Sequence, residues 1–175
     1  MGLKRPHPSE YGDAYAHYLA SAPEGDLLAL LRAQATEVAA LFGPLTETQG
    51  AHRYAPGKWS LKDLLQHLSD AERIFAYRCL RIGRGDATPL PGFEEDDYAA
   101  AAKADAHSVA NLLTDFHATR EASLTLFQSL SDSAWDQKGS TSGKVITARC
   151  IPYICLGHAD HHLAIIRERY MPGLK

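Results

Sequence analysis

Cysteine is scarce in this chain: Cys79, Cys150 and Cys155 are the only three, and no Cys-x-x-Cys pair occurs. An odd count without paired spacing indicates neither a disulfide scaffold nor a zinc ribbon, so a reducing, cytoplasmic setting is expected. Long hydrophobic runs are missing as well. No stretch approaches the roughly 18 apolar residues of a membrane span, and the basic residues in Met1–Pro8 have no apolar run behind them. A soluble protein without a signal peptide is therefore expected. Charge of one sign is not in excess either, with 18 basic against 21 acidic residues and a net charge of -3. Without a block of lysine and arginine or an aromatic ladder among basic residues, a nucleic-acid partner is disfavoured. Convincing alternation of apolar and polar residues is also lacking, which argues against strands.

What the sequence has is four long stretches with apolar residues at helical spacing. Asp26 is a plausible N-cap for a first helix carrying Leu27, Leu28, Leu31, Val38, Leu41 and Phe42, stopped by Gly43 and Pro44. Ser60 with Asp63 three residues on has the form of a capping box opening a second helix, with Leu61, Leu65, Leu68, Phe75 and Cys79 in its stripe. The spacing predicts helices over about 26–43, 60–82, 107–130 and 147–169, with residues 1–25 as an arm and the 175 residues forming a single domain. Gly139–Lys144 reads as a glycine and serine loop, and Pro152 is tolerable in the first turn of the last helix. The fold class expected is all-α, a four-helix bundle. Its connections are longer than tight hairpins need, which speaks against a simple up-down-up-down order. A chain of this length buries about 70 % of its unfolded surface, so a metal would serve chemistry rather than folding.

Nine histidines are present, and three of them lie in one turn and a half of the last helix: His158, His161 and His162. At about 100° per residue His158 and His162 stand ~40° apart, one turn above the other, whereas His161 lies ~100° from His162. Ile151, Ile154, Cys155, Ile165 and Ile166 share the His158 face, so this pair belongs to the side the helix buries. Buried imidazoles need partners, and one metal ion satisfies several at once. Two helical histidines do not complete a site, and His67, on the flank of the second helix, is the natural third. His7, His17, His52, His107 and His117 stand singly, in polar or loop contexts. Glu72 falls inside the apolar stripe and calls for a buried partner or a solvent-filled pocket, with three roles open to it: orienting a histidine, serving as a base, or pairing with an arginine. Asp160 and His161 read as neighbours of the site or surface groups, and Cys155 as a small apolar residue.

Trp59, Ser60, the helix through His67, Leu68, Asp70 and Glu72, and the late His158, His161 and His162 together resemble the signature of the DinB/YfiT-like superfamily of four-helix-bundle metalloenzymes. The resemblance runs from about Tyr11 to Tyr170. It implies that His67, His158 and His162 bind a divalent metal, zinc or nickel. Some members of that superfamily are S-transferases for low-molecular-weight thiols such as bacillithiol, mycothiol or glutathione, and others are stress-linked. The function expected is a metal-dependent S-transferase that activates such a thiol for attack on an electrophile. A non-catalytic metal-binding stress-response protein and a metal-assisted hydrolase are the alternatives. Expected partners are the thiol and an electrophilic substrate, with no nucleic acid and no membrane; a homodimer through an exposed helix face belongs to the same set. No catalytic side chain is singled out beyond the ligands, because metal-bound thiol or water would do the chemistry. Ligand histidines must be neutral, so metal affinity is expected to fall below their ordinary pKa of about 6.5.

Overall fold

The computed structural model describes residues 3–174; Met1 and Gly2, at the start of the expected arm, and Lys175 lie outside the described residues. The elements are α1 (Ala16–Ser21), α2 (Leu27–Phe42), α3 (Glu47–Gly50), α4 (Leu61–Gly83), α5 (Glu95–Ala102), α6 (Val109–Ser129), α7 (Asp132–Trp135), β1 (Lys138–Thr141), β2 (Lys144–Thr147) and α8 (Cys150–Ile165). A π-helical turn, Ile166–Tyr170, continues α8. Four long helices make the bundle. Two of them start where the sequence places a cap: the Asp26 side chain accepts from the Ala29 amide at 3.0 Å, and Ser60 and Asp63 form the reciprocal capping box; α6 has a cap that sequence reasoning missed, Ser108, which accepts from the Asn111 amide at 3.2 Å.

Packing runs from α2 to α6, α6 to α4, α4 to α8 and α8 back to α2. The consecutive long helices α2 and α4 therefore face each other across a diagonal, as do α6 and α8. The extended connection through α3 crosses the end of the bundle to make this order possible. It is not an up-down-up-down arrangement of sequence neighbours, in keeping with the connection lengths.

Two expectations need correction. Residues 138–147 are not a loop but a two-stranded antiparallel hairpin, in register Lys138↔Thr147 through Thr141↔Lys144. Ser142 and Gly143 at its tip have φ of 50° and 75°, the left-handed pair that a two-residue hairpin turn requires. The hairpin also packs closely on α4: a Cβ on Gly139 would stand 2.5 Å from Ile82 Cγ1. Because β2 takes residues up to Thr147, α8 begins at Cys150, about one turn later than its apolar spacing suggests. Pro152 still falls in its first turn, where no intrahelical N–H is lost.

A polar layer divides the core. One apolar cluster contains Leu31, Phe75, Phe127 and Ile154; the other contains Val38, Leu65, Phe116 and Leu163. Between them Arg120, with no exposed surface, donates to both oxygens of Glu72 at 2.8–3.0 Å, to the Leu31 carbonyl at 2.7 Å and to Gln34 Oε1 at 3.0 Å. Gln34 Nε2 donates in turn to the Leu156 carbonyl at 2.8 Å and to Asp160 Oδ1. Of the roles open to Glu72, pairing with an arginine is the one realised. All four long helices thus contribute to a single hydrogen-bonded layer, α4 and α6 with one residue each and α2 and α8 with two. Removing one ion of a buried pair strands the other: Glu72→Ala is expected to cost about 3–5 kcal/mol in urea denaturation, and Glu72→Leu with Arg120→Met to recover most of it. A loss below about 1 kcal/mol for the single variant would mean that Arg120 is neutralised some other way.

Candidate metal centre

One helical turn from the polar layer, α4 and α8 bring His67, His158 and His162 together. His67 Nε2 lies 3.0 Å from His158 Nε2, which lies 3.2 Å from His162 Nε2. The three rings offer atoms that all fall within 4.8 Å of one another, the arrangement a metal ion needs. His67 and His158 are buried and His162 is half-buried. His158 and His162 meet because they are one turn apart on α8; His67 arrives through the α4–α8 contact, which no local spacing specifies.

These distances fit a metal better than they fit hydrogen bonding. A neutral imidazole nitrogen has either one N–H or one lone pair, so His158 Nε2 can form one good hydrogen bond, yet it has two nitrogen neighbours. Three nitrogens about 2.0–2.1 Å from one zinc ion at tetrahedral angles stand about 3.3–3.4 Å apart, close to the 3.0 and 3.2 Å that separate His158 from its two neighbours. His162 Nδ1 is moreover buried with no hydrogen-bond partner among the described residues. Among the described residues no acceptor holds a proton on that nitrogen, whereas a ligand on Nε2 would fix it there.

Burial sets the protonation of the cluster. It pushes His67 down to about 4, with Asp96 pulling weakly the other way, and His162 down to about 3, helped by His67 and His161. His158 is held well below the ordinary histidine value by burial and then by its histidine neighbours. All three rings are neutral at neutral pH, with lone pairs free to coordinate. The range in which protons compete for the folded site therefore lies below the ordinary histidine value near 6.5, lower than the sequence suggests.

Around the cluster stand aromatic rings and one carboxylate. Trp59 lies 4.8 Å from the His67 ring, and Tyr18 and Phe75 each 5.5 Å from His158, edge-on. Tyr18 reaches this place because α1 crosses α8 at Gly157, where a Cβ would meet the Tyr18 carbonyl oxygen at 2.1 Å. Glu95, the first residue of α5, has Oε2 3.9 Å from His67 Nε2; burial, then Asp96 and Glu94, push its carboxyl up. Glu95 borders two cavities, one of about 390 Å³ reaching His67 and His158 and one of about 280 Å³ reaching His162. Sequence reasoning missed Glu95, Tyr18 and Trp59 as neighbours of the site, because they come from other elements with no spacing that ties them to the histidines.

The remaining candidates separate. His161 is exposed and faces His17 and Tyr18, with ring centroids 5.7 and 5.8 Å away, outside the cluster. Asp160 accepts from Gln34 and is pushed up by burial, so it belongs to the polar layer. Cys155 is buried among apolar residues. His7, His52, His107 and His117 take no part.

Fold and site together define an all-α four-helix bundle with a histidine cluster at an internal junction of two of its helices. The chain belongs to the DinB superfamily, whose family model matches residues 30–166. Among solved structures it is similar to YfiT from Bacillus subtilis, described as a probable metal-dependent hydrolase with an unusual four-helix bundle topology, at a TM-score of 0.72 and 16% identity over 96% of this chain and 92% of that one. It is also similar to a mycothiol-dependent maleylpyruvate isomerase, at a TM-score of 0.67 and 13% identity, covering 79% of this chain and 58% of that one. A search of curated proteins gives no match. At these identities the likenesses establish the shared fold. Among the described residues no helix is long and apolar enough to cross a membrane.

The lowered histidines make stability depend on pH in a definite direction. Unfolded rings titrate near 6.5 and folded ones lower, so between those values the unfolded chain binds more protons. The stability that the neutral rings carry is full above about 6.5 and is lost as pH falls toward 4. Carboxylates held low by the fold, such as Asp86 and Asp105, contribute losses only below their ordinary value near 4. Chelator-treated protein is therefore expected to melt at a lower temperature at pH 5 than at pH 7. An unchanged melting temperature over that interval would mean that the rings are solvated in the folded state.

Proposed function

We propose that His67, His158 and His162 hold a divalent metal, zinc or nickel, and that the protein is a metal-dependent S-transferase activating a low-molecular-weight thiol for attack on an electrophile. The convergence of three neutral imidazole nitrogens on one point, beyond what hydrogen bonding can satisfy, carries this reading. Three protein ligands leave a position open, the arrangement of catalytic rather than structural zinc. An ion so held supplies Lewis acidity, which makes a thiol or a water nucleophilic near neutral pH.

The protein's own groups define what the substrate must bring. Burial pushes the Cys79 thiol up to about 12 and raises Cys150 and Cys155 as well, so none of the three is a nucleophile at neutral pH. An attacking sulfur therefore has to enter with a substrate. Glu95, raised and 3.9 Å from His67, is placed to accept its proton. The two cavities that share Glu95 and reach different histidines give a thiol and an electrophile separate approaches. The mycothiol dependence of one structural neighbour supports the thiol, and the description of YfiT as a probable hydrolase supports the second reading, in which water replaces the thiol.

His67→Ala, His158→Ala and His162→Ala are each expected to lose stoichiometric metal in elemental analysis while keeping helical circular dichroism, and His161→Ala to retain it. Metal-loaded protein is then offered mycothiol, bacillithiol or glutathione with monochlorobimane, and separately activated esters. Metal-dependent conjugation supports the transferase. Ester cleavage without conjugation favours the hydrolase, and neither activity, with metal bound, leaves the non-catalytic stress-response role.

A further inference from the structure

The larger cavity beside the histidines contains a charge that the proposed chemistry does not use. Arg78, in α4, is only 4% exposed and lines the same cavity as His67 and His158. Its guanidinium donates to the Pro91 carbonyl at 2.8 Å and reaches the Tyr15 hydroxyl at 3.4 Å, both neutral acceptors. Among the described residues no carboxylate comes within ion-pairing distance of it. This contrasts with Arg120, the other deeply buried arginine, which is matched to Glu72. A guanidinium keeps its charge even when enclosed, and an enclosed charge without a counter-ion is costly unless a ligand brings one.

We propose that Arg78 is the anchor for a carboxylate carried by the small-molecule substrate. The proposal deepens the reading of this site, and rests on that reading for the reaction though not for the binding. Phe93, whose ring lies 5.9 Å from the guanidinium carbon, and Phe75 form apolar walls, so the carboxylate sits on an apolar or aromatic body. A carboxylate fits better than a phosphate, because Glu94 and Glu95 at the same cavity oppose a second negative charge. The pocket is built by tertiary contacts. Leu90 pairs with the hairpin through Ser140 and Ser142, which brings Pro91 and Phe93 over α4, and the N-terminal arm supplies Tyr15. Arg78 stands eleven residues after His67 on α4, about 16 Å along the helix axis. Its side chain leans back toward the helix N-terminus, and so toward the histidines. Anchor and cluster thus hold different parts of one substrate.

The test is binding of benzoate, with neutral benzamide and dianionic phenyl phosphate as comparisons, followed by calorimetry on the full chain with and without chelator. Benzoate is expected to bind at least about tenfold more tightly than benzamide, and Arg78→Lys and Arg78→Gln to weaken it by about tenfold or more. In the unaltered protein the Arg78 Nε–H resonance is expected to shift with benzoate and not with benzamide, an arm that holds even if both variants unfold. Equal binding of benzamide and benzoate, undiminished binding by folded variants, or a silent Arg78 resonance would each overturn the anchor. Tighter binding of phenyl phosphate would overturn the carboxylate class. Charge-dependent binding that persists in chelator keeps the anchor even if the histidines take up no metal, whereas benzoate binding seen only with metal present overturns it.

Discussion

The structure depends on one enclosed ion pair. Arg120 and Glu72 lie where the four long helices meet, and the arginine is wholly without solvent contact. Such a charge is tolerable only when every donor is met, and the acceptors come from α4 and α2. Gln34 extends the same layer to α8 through Asp160 and the Leu156 carbonyl. An apolar layer would tolerate small slides of one helix past another, whereas a layer of directed hydrogen bonds fixes their relative heights. His158 lies two residues from both Leu156 and Asp160, and His67 five residues before Glu72 on the facing helix. The heights that satisfy the polar layer are those that bring these two imidazoles together.

Around this frame the irregular parts of the chain do the enclosing. The arm crosses α8 at Gly157 and lays Tyr18 against His158. The loop after α4 is pinned to the hairpin at Leu90 and carries Phe93, Glu94 and Glu95 over the cavity. Burial of the histidines is thus the work of segments with no long periodicity, and that burial keeps the rings neutral. The bundle supplies geometry, and the arm and loop supply the low-dielectric surroundings that make the geometry chemically useful.

The two deeply buried arginines show how similar residues serve different ends. Arg120 has a carboxylate and reads as architecture. Among the described residues Arg78 has only neutral acceptors, and it opens onto a cavity, so its charge is available to a ligand. Both occupy positions where the helix pattern calls for an apolar residue: Arg120 falls four residues from Phe116 and from Leu124, and Arg78 continues the flank of His67, Ala71 and Ile74.

The four long helices, two of their caps and the His158–His162 pair are legible in the sequence, because each depends on interactions within about one turn. Glu72 announces by its place in an apolar stripe that it needs a partner. The sequence does not say that the partner is Arg120, 48 positions away, or that Gln34 completes the layer. The hairpin escaped because its two four-residue strands are too short to show alternation, and its stability comes from packing on Ile82 rather than from its own pattern. Tertiary structure alone decided that His67 faces the α8 pair, that Tyr18 and Glu95 border it, and that Arg78 has no counter-ion among the described residues. Helical periodicity fixes which residues share a face, while which faces meet, and at what height, is set by contacts between segments far apart in the chain.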